Sequence, residues 1–371
     1  MALARQLAPL ALVTLGCGHS SPPRSPAGAP LPSVDQTLAE LASAGEVSAQ
    51  RELGLRLDQG LGVESDPLQA ADWYRRAAEG GDPASMLNLA LLQLTGRVPA
   101  GDESEARELL RRAGDSGLAQ ADLLWANLAR DGRGGPIDTA DARRRLQRAA
   151  LAGLPEAQLE LAGMLLAGQG GPVDAAAGGA WLEQAAGAGL PAAQTALGLL
   201  LLDSDPDEAR RAQGIEWIRR ASERGEPRAM TRLGLLFLRG EGLPASDREA
   251  LRWLAAAAEG GQAVAQVNLG LMLLRGQGTP RDEAAGAAWI RRAADQGSPR
   301  ALLHLGALHE AGKGVQGDRF EAWRCYRLAG LVGSQEGTQR AERIARSADP
   351  ALQARINAEL AAAASQRPEA P

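Results

Sequence analysis

The sequence predicts an all-α solenoid made of about eight tandem helical hairpins. Three observations carry that prediction. A glycine returns every 36 residues, at Gly81, Gly117, Gly153, Gly189, Gly225, Gly261, Gly297 and Gly333. An alanine four residues earlier keeps the same period, at Ala77, Ala113, Ala149, Ala185, Ala221, Ala257, Ala293 and Ala329. A column of small residues falls earlier in each unit, at Gly54, Ala90, Ala126, Ala162, Gly198, Gly234, Gly270 and Gly306. A fixed period of this length is the signature of a repeat array, in which one supersecondary unit cannot bury its apolar face without a neighbour.

Each element follows from its residues. Val34–Ala44 reads as a lone second helix, with Gly45 one period before Gly81, so 34–45 is expected to cap the array. In each unit the first helix, helix A, carries a further small column at Ala49, Ser85, Ala121, Ala157, Ala193, Ala229, Ala265 and Ala301. It lies five residues before the Gly/Ala column, and small residues at both positions are expected to let neighbouring helices approach closely.

Helix A then meets a glycine-rich loop, with pairs such as Gly60 and Gly62, Gly132 and Gly134, or Gly312 and Gly314. Glycine suits a helix C-terminus because it adopts positive φ cheaply. Aspartates follow at Asp66, Asp102, Asp138, Asp174, Asp282 and Asp318, placed to cap the free amides of the next helix. That second helix, helix B, carries Trp73, Trp181, Trp217, Trp253 and Trp289 four residues before the alanine column, which predicts that both columns face the core. After Gly333, Gln335–Arg346 and Pro350–Ala364 read as two charged capping helices within 334–364, and 365–371 as a disordered tail.

Some units depart from the pattern. The tryptophan position holds Leu109, Arg145 and Cys325 in the second, third and eighth units. In the third, Trp125 on helix A is expected to supply the missing bulk. In the eighth, Trp323 falls two residues early. The fifth unit has Ser204 and Pro206 where others have loop glycines, so its loop is expected to differ.

Residues 229–261, AMTRLGLLFLRGEGLPASDREALRWLAAAAEGG, resemble the Sel1-like repeat, a relative of the tetratricopeptide repeat; 265–297 and 301–333 match similarly. The resemblance extends over roughly 46–333. It implies a right-handed superhelix of stacked hairpins and a protein that organises complexes without catalysing a reaction. Some relatives are outer-membrane lipoproteins that assist polysaccharide export. A cysteine-rich branch is associated with β-lactam hydrolysis, but its chains carry a cysteine pair in each repeat, and this chain has only Cys17 and Cys325.

Composition narrows the function further. The net charge of −5 gives no bulk attraction to nucleic acid. Lysine occurs only at Lys313, and the residue three before it is Glu310, so Ser-x-x-Lys chemistry has no site; HExxH and GxSxG are also absent. His304 and His309 are too few to hold a metal, and no cofactor motif occurs. The run Asp203, Asp205, Asp207, Glu208 departs from a calcium loop at its sixth and twelfth places and reads as a solvated cap. The glycine-rich runs lack the lysine of a phosphate loop. Arginines two and three residues after the tryptophan position, such as Arg75 and Arg76, read as the solvated face of helix B.

The N-terminus predicts export. Residues 1–17 carry Arg5, a short apolar run Leu7–Leu15, and Gly16-Cys17, which resembles the end of a bacterial lipobox despite Thr14 and Leu15 at its usual Leu and small positions. The resemblance implies lipidation of Cys17 and a membrane-anchored protein facing the periplasm, with Gly18 favouring the outer membrane. The Pro- and Ser-rich 18–33 reads as a tether.

One column is a candidate for partner binding. Positions two before and five after the Gly/Ala column of helix A are seven apart and share a face. They carry Glu52, Asp131, Glu160 and Asp203 in the first five units, then Arg232, Arg239, Arg275 and His304. This face is expected to line a concave groove for protein partners, acidic at one end and basic at the other. A glycan- or peptidoglycan-binding envelope protein is the alternative, though the tryptophans sit at packing columns.

Overall fold

The computed structural model describes residues 33–98, 103–203 and 207–365. Among them are nineteen helices and no strand. The expected leader, the anchor Cys17, the tether as far as residue 32, Asp102, Ser204 and Pro206 of the fifth loop, and 366–371 of the tail lie outside the described residues.

The chain divides into two units, the first ending at Leu190 and the second beginning at Pro191. The first holds α1 (Ser33–Ser43), then four hairpins: α2 (Val47–Gln59) with α3 (Pro67–Glu79), α4 (Pro83–Leu94) with α5 (Glu103–Asp115), α6 (Ala119–Asp131) with α7 (Thr139–Leu151), and α8 (Pro155–Ala167) with α9 (Ala175–Gly187). The second holds α10 (Pro191–Asp203) with α11 (Glu208–Glu223), α12 (Pro227–Arg239) with α13 (Asp247–Glu259), α14 (Ala263–Arg275) with α15 (Glu283–Asp295), and α16 (Pro299–Ala311) with α17 (Arg319–Leu331). It ends with α18 (Gln335–Arg346) and α19 (Pro350–Ser365).

The helix boundaries are chemical. Asp66 accepts from the amides of Leu68 and Gln69, Asp138 from Asp141, Asp174 from Ala177, and Asp282 from Ala285. Ser246 takes this place in the sixth hairpin, accepting from Glu249. The two loop glycines differ in what they require. The first, such as Gly312, ends helix A in the left-handed conformation at φ 63°. The second, such as Gly314 at φ 69°, also lies against the Glu283 carbonyl at the start of the preceding hairpin's helix B, where a Cβ would collide. The 36-residue glycines have φ from 80° to 97°, and Gly81, Gly117, Gly153, Gly225, Gly261, Gly297 and Gly333 have open space around them, so only the backbone conformation demands glycine there.

Inside each hairpin, helices A and B meet on a size match. Twenty residues after the Gly/Ala column runs a buried column: Tyr74, Leu110, Leu146, Leu182, Ile218, Leu254, Ile290 and Tyr326. Alanine on helix A faces Leu110, Leu146 and Leu182. Glycine faces both tyrosines, both isoleucines and Leu254. A Cβ on Gly270 would lie 2.6 Å from Ile290 Cγ1 and 2.7 Å from the Gly286 carbonyl, so the two backbones touch there. This column does not stand out in the sequence, because it lies beside the tryptophans and alternates between leucine, isoleucine and tyrosine.

The tryptophan column faces the core as expected, but less deeply than the alanine column. Trp73, Trp181, Trp217, Trp253 and Trp289 are half-buried, and Trp181, Trp253 and Trp289 pack against the buried clusters. Arginine planes lie over four of them: Arg76 over Trp73 and Arg292 over Trp289 at 4.5 Å, Arg220 over Trp217 at 5.0 Å, and Arg252 over Trp253 at 4.5 Å. These arginines are therefore not a purely solvated face. They shield indole rings whose residues end at the rim.

Hydrogen bonds across hairpins use the carbonyls that a helix C-terminus leaves free. The amides of Gln50, Gln158 and Gln266 donate to Ala42, Ala150 and Ala258 oxygens at 3.1 to 3.2 Å. Arg112 donates to the Ala78 oxygen and Arg148 to that of Gly114, positive charge meeting the negative end of a helix dipole.

The third hairpin solves its missing tryptophan with charge. Trp125 is buried between Arg107, at 4.9 Å, and Arg145, at 4.5 Å. Arg145 is itself buried and bonds Asp122 at 2.9 Å, Asp115 at 3.2 Å and Asp141 at 3.2 Å. The guanidinium thus replaces one indole while stacking on another.

Candidate functional site

On helix A, positions six before, two before, one after and five after the Gly/Ala column fall within about 60° of one another at 3.6 residues per turn. The buried positions lie on the other side: in α12 they are Ala229, Met230, Thr231, Leu233, Gly234 and Leu236. This outward wedge contains every candidate residue of the helix-A face.

In the first unit the wedge is acidic, and much of its charge is already paired. Glu52 accepts from Arg56 Nε at 3.0 Å. Glu160 accepts from Arg130 at 2.9 Å and from Asn127 at 3.1 Å, tying α8 to α6. Burial raises the pKa of Glu160 despite Arg130, and Asp131 adds to the rise. Asp131 is exposed.

In the second unit the wedge is cationic. Helix α12 presents Arg228, Arg232, Leu235 and Arg239; α14 presents Val264, Leu271 and Arg275, while Asn268 at the same register is buried; α16 presents Arg300, His304, Ala307 and Ala311. Arg239 meets Glu241 at 3.4 Å with both side chains half-exposed. Asp203 is exposed at the end of α10. His304 is half-buried, and its pKa is held below the ordinary histidine value by burial and by Arg300, Arg275 and Arg340. The structure thus brings Arg275 and His304 into one electrostatic neighbourhood, joined by Arg300 and Arg340, which the spacing argument had not named.

His309 belongs elsewhere: it is buried, with Nδ1 3.1 Å from the Gln316 oxygen. Among the described residues no cluster of three or more His, Cys, Asp or Glu is placed to hold a metal ion, and no helix is long and apolar enough to cross a membrane. Cys325 is buried, and burial pushes its thiol up to about 11. An open depression of about 510 Å³ lies along α13, lined by Arg248, Glu249, Leu251, Arg252, Ala255 and Gly278.

Paired helices, looped at left-handed glycines and repeated at a constant period, define a tetratricopeptide-like repeat protein, a class that typically serves as an interaction scaffold. The chain belongs to the Sel1 repeat family: that family's sequence model matches residues 47–82, 83–118, 155–190, 191–226, 227–262, 263–298 and 299–334. The gap at 119–154 is the hairpin with Arg145 in place of tryptophan, and it folds as a hairpin nonetheless.

A Sel1 repeat protein from Oxalobacter formigenes is similar in structure, with a TM-score of 0.63 and 28% identity over 84% of this chain and 90% of that one. A protective antigen of uropathogenic Escherichia coli strains, c5321, displays an SLR fold and is 25% identical over 87% of this chain and 85% of its own, with a TM-score of 0.44. No curated protein matches the chain. Sel1 repeat proteins generally bind protein partners and are generally non-catalytic.

Proposed function

We propose that this chain is a non-enzymatic scaffold of the bacterial cell envelope that holds protein partners on the outward wedge of its helix A elements. The observation that carries the reading is the second-unit wedge, where Arg228, Arg232, Arg275 and Arg300 have no carboxylate partner among the described residues. A solvated helix face of a folded protein is usually laced with opposite charges, as α5 is with Arg111 between Glu108 and Asp115.

The envelope location rests on the leader: Arg5, the apolar Leu7–Leu15 and Gly16-Cys17. A single acyl pair at Cys17 would anchor the protein without a spanning helix. Mass spectrometry of the mature N-terminus tests this, and a diacylated Cys17 is the expected result. Partner capture from solubilised envelope by the tagged full chain tests the scaffold; recovery of no protein above a folded control would defeat it.

The half-exposed tryptophan column gives the glycan reading one specific support, since sugars stack on indole faces. Arginines already lie over Trp73, Trp217, Trp253 and Trp289, which favours the protein partner.

A further inference from the structure

We infer that the wedge of α12, α14 and α16 takes an extended acidic segment of a partner protein, with a carboxylate at about every third residue. This rests on the scaffold reading and narrows it to one occupant. Arg228, Arg232, Arg275 and Arg300 have no carboxylate partner among the described residues, and the Nε of Arg232 is buried without a hydrogen bond. Asp203, at the far end, is the carboxylate at a wedge position in this unit; Glu241 meets Arg239 at 3.4 Å, and Glu336 is 2.6 Å from Arg340. Burial lowers the pKa of His304, and Arg300, Arg275 and Arg340 lower it further, in keeping with the same positive field.

Geometry selects the form of the occupant. Helices α14 and α16 are in contact, and packed helix axes lie about 8–10 Å apart. An extended chain of the polyproline II type has three residues per turn and rises about 3.1 Å per residue, so every third side chain returns to the same face and advances by about one helix. Between the cations sit half-buried Leu235 and Leu271 and the exposed Val264, which offer apolar contact to the residues between the acids. Guanidinium groups bind carboxylates with paired hydrogen bonds, and unpaired ones retain that capacity.

The test uses the full chain and fluorescence anisotropy with labelled peptides of about fifteen residues. One peptide carries Glu-Leu-Ser repeats. A second has the same composition with its glutamates clustered at one end. A third has lysine in place of glutamate. The spaced acidic peptide should bind at least about tenfold more tightly than the lysine peptide and more tightly than the clustered one, and should weaken as salt rises from roughly 50 to 300 mM.

The triple variant R232E/R239E/R275E should lose at least about tenfold in affinity. Its helicity is checked by circular dichroism, and the single variants Arg232→Gln and Arg275→Gln replace it if it does not fold. Equal peptide affinity in the folded charge-reversed variant overturns the inference. So does binding of phosphatidylglycerol vesicles in place of the peptides. If the wild-type chain captures envelope proteins but no acidic peptide, this inference falls while the scaffold reading stands.

Discussion

Glu310 accepts the hydroxyl of Tyr326 at 2.6 Å, and the same carboxylate holds Arg343 of α18 at 2.9 and 3.0 Å. The chain has two tyrosines, and they occupy equivalent places in the first and eighth hairpins. Each faces a glycine on helix A and has a carboxylate sixteen residues before it, Asp58 for Tyr74 and Glu310 for Tyr326. At the C-terminal end this pairing fastens the capping helix to the last hairpin. At the other end Asp58 is taken by Arg97 from the next hairpin's loop.

Tyr326→Phe should cost about 1 kcal/mol, since it removes a hydrogen bond to a partly exposed carboxylate. Glu310→Ala should cost more, because it frees both Tyr326 and Arg343. Burial and Glu310 push Tyr326 up to about 12, and burial and Asp58 raise Tyr74 as well. An alkaline absorbance titration of the native protein should therefore show no tyrosine ionising near 10. A folded pKa above the unfolded value stabilises fully below the unfolded pKa, so stability should fall as pH climbs from about 10 to 12.

Arg97→Ala should destabilise the first unit by about 3–5 kcal/mol at neutral pH, because the Asp58 side chain has no exposed surface and Arg97 is its ion-pair partner. Burial already raises the pKa of Asp58, with Arg97 opposing the rise. Without Arg97 the rise should grow. The stability of the variant should then increase as pH is lowered from 8 toward 5, because the folded state favours the protonated acid more than the unfolded state does. Urea melts across that range check the sign; a flat profile would show that Asp58 had reached water.

Gly270→Ala and Gly297→Ala separate two demands on glycine. At Gly270 the added methyl meets Ile290 and the Gly286 carbonyl, and overpacking of this kind costs about 1–3 kcal/mol. Ile290→Val should restore part of that loss in the double variant. At Gly297 the space is open and only the φ of 80° resists, worth about 1–2 kcal/mol. Rescue by Ile290→Val should appear in the first case and be absent in the second.

Arg220→Ala should cost about 0.5–1 kcal/mol and expose the Trp217 ring. The measurement is acrylamide quenching of indole emission, which should increase relative to the unsubstituted chain. Arg219→Ala, at a neighbouring position with no ring beneath it, should leave quenching unchanged.

The repeat, the loop glycines and the capping aspartates were legible because each answers to backbone chemistry that recurs at a constant spacing. Gln335–Arg346 was read to the residue for the same reason: Ser334 caps it and Gly333 precedes it. The tryptophan period signals contact with the core but not depth, and Arg76 or Arg220 completes the cover. The carboxylates sixteen residues before the two tyrosines were invisible to a search for period, since they occur in the first and eighth hairpins while Leu94, Leu202, Leu238 and Leu274 hold that position in others. The helix-A column was found by spacing, but spacing could not show that Glu52 and Glu160 are engaged by Arg56 and Arg130 while Arg232 and Arg275 are not.

Gly314 against the Glu283 carbonyl has a consequence for how such a chain can change its length. The loop that carries this glycine seats against the hairpin before it, so one residue inserted between Gly312 and Asp318 would unseat it. Duplicating or deleting a whole block of 36 residues leaves every such junction intact. Mutational tolerance should therefore be quantised: the molecule can gain or lose reach in complete modules, and shows almost no latitude within one.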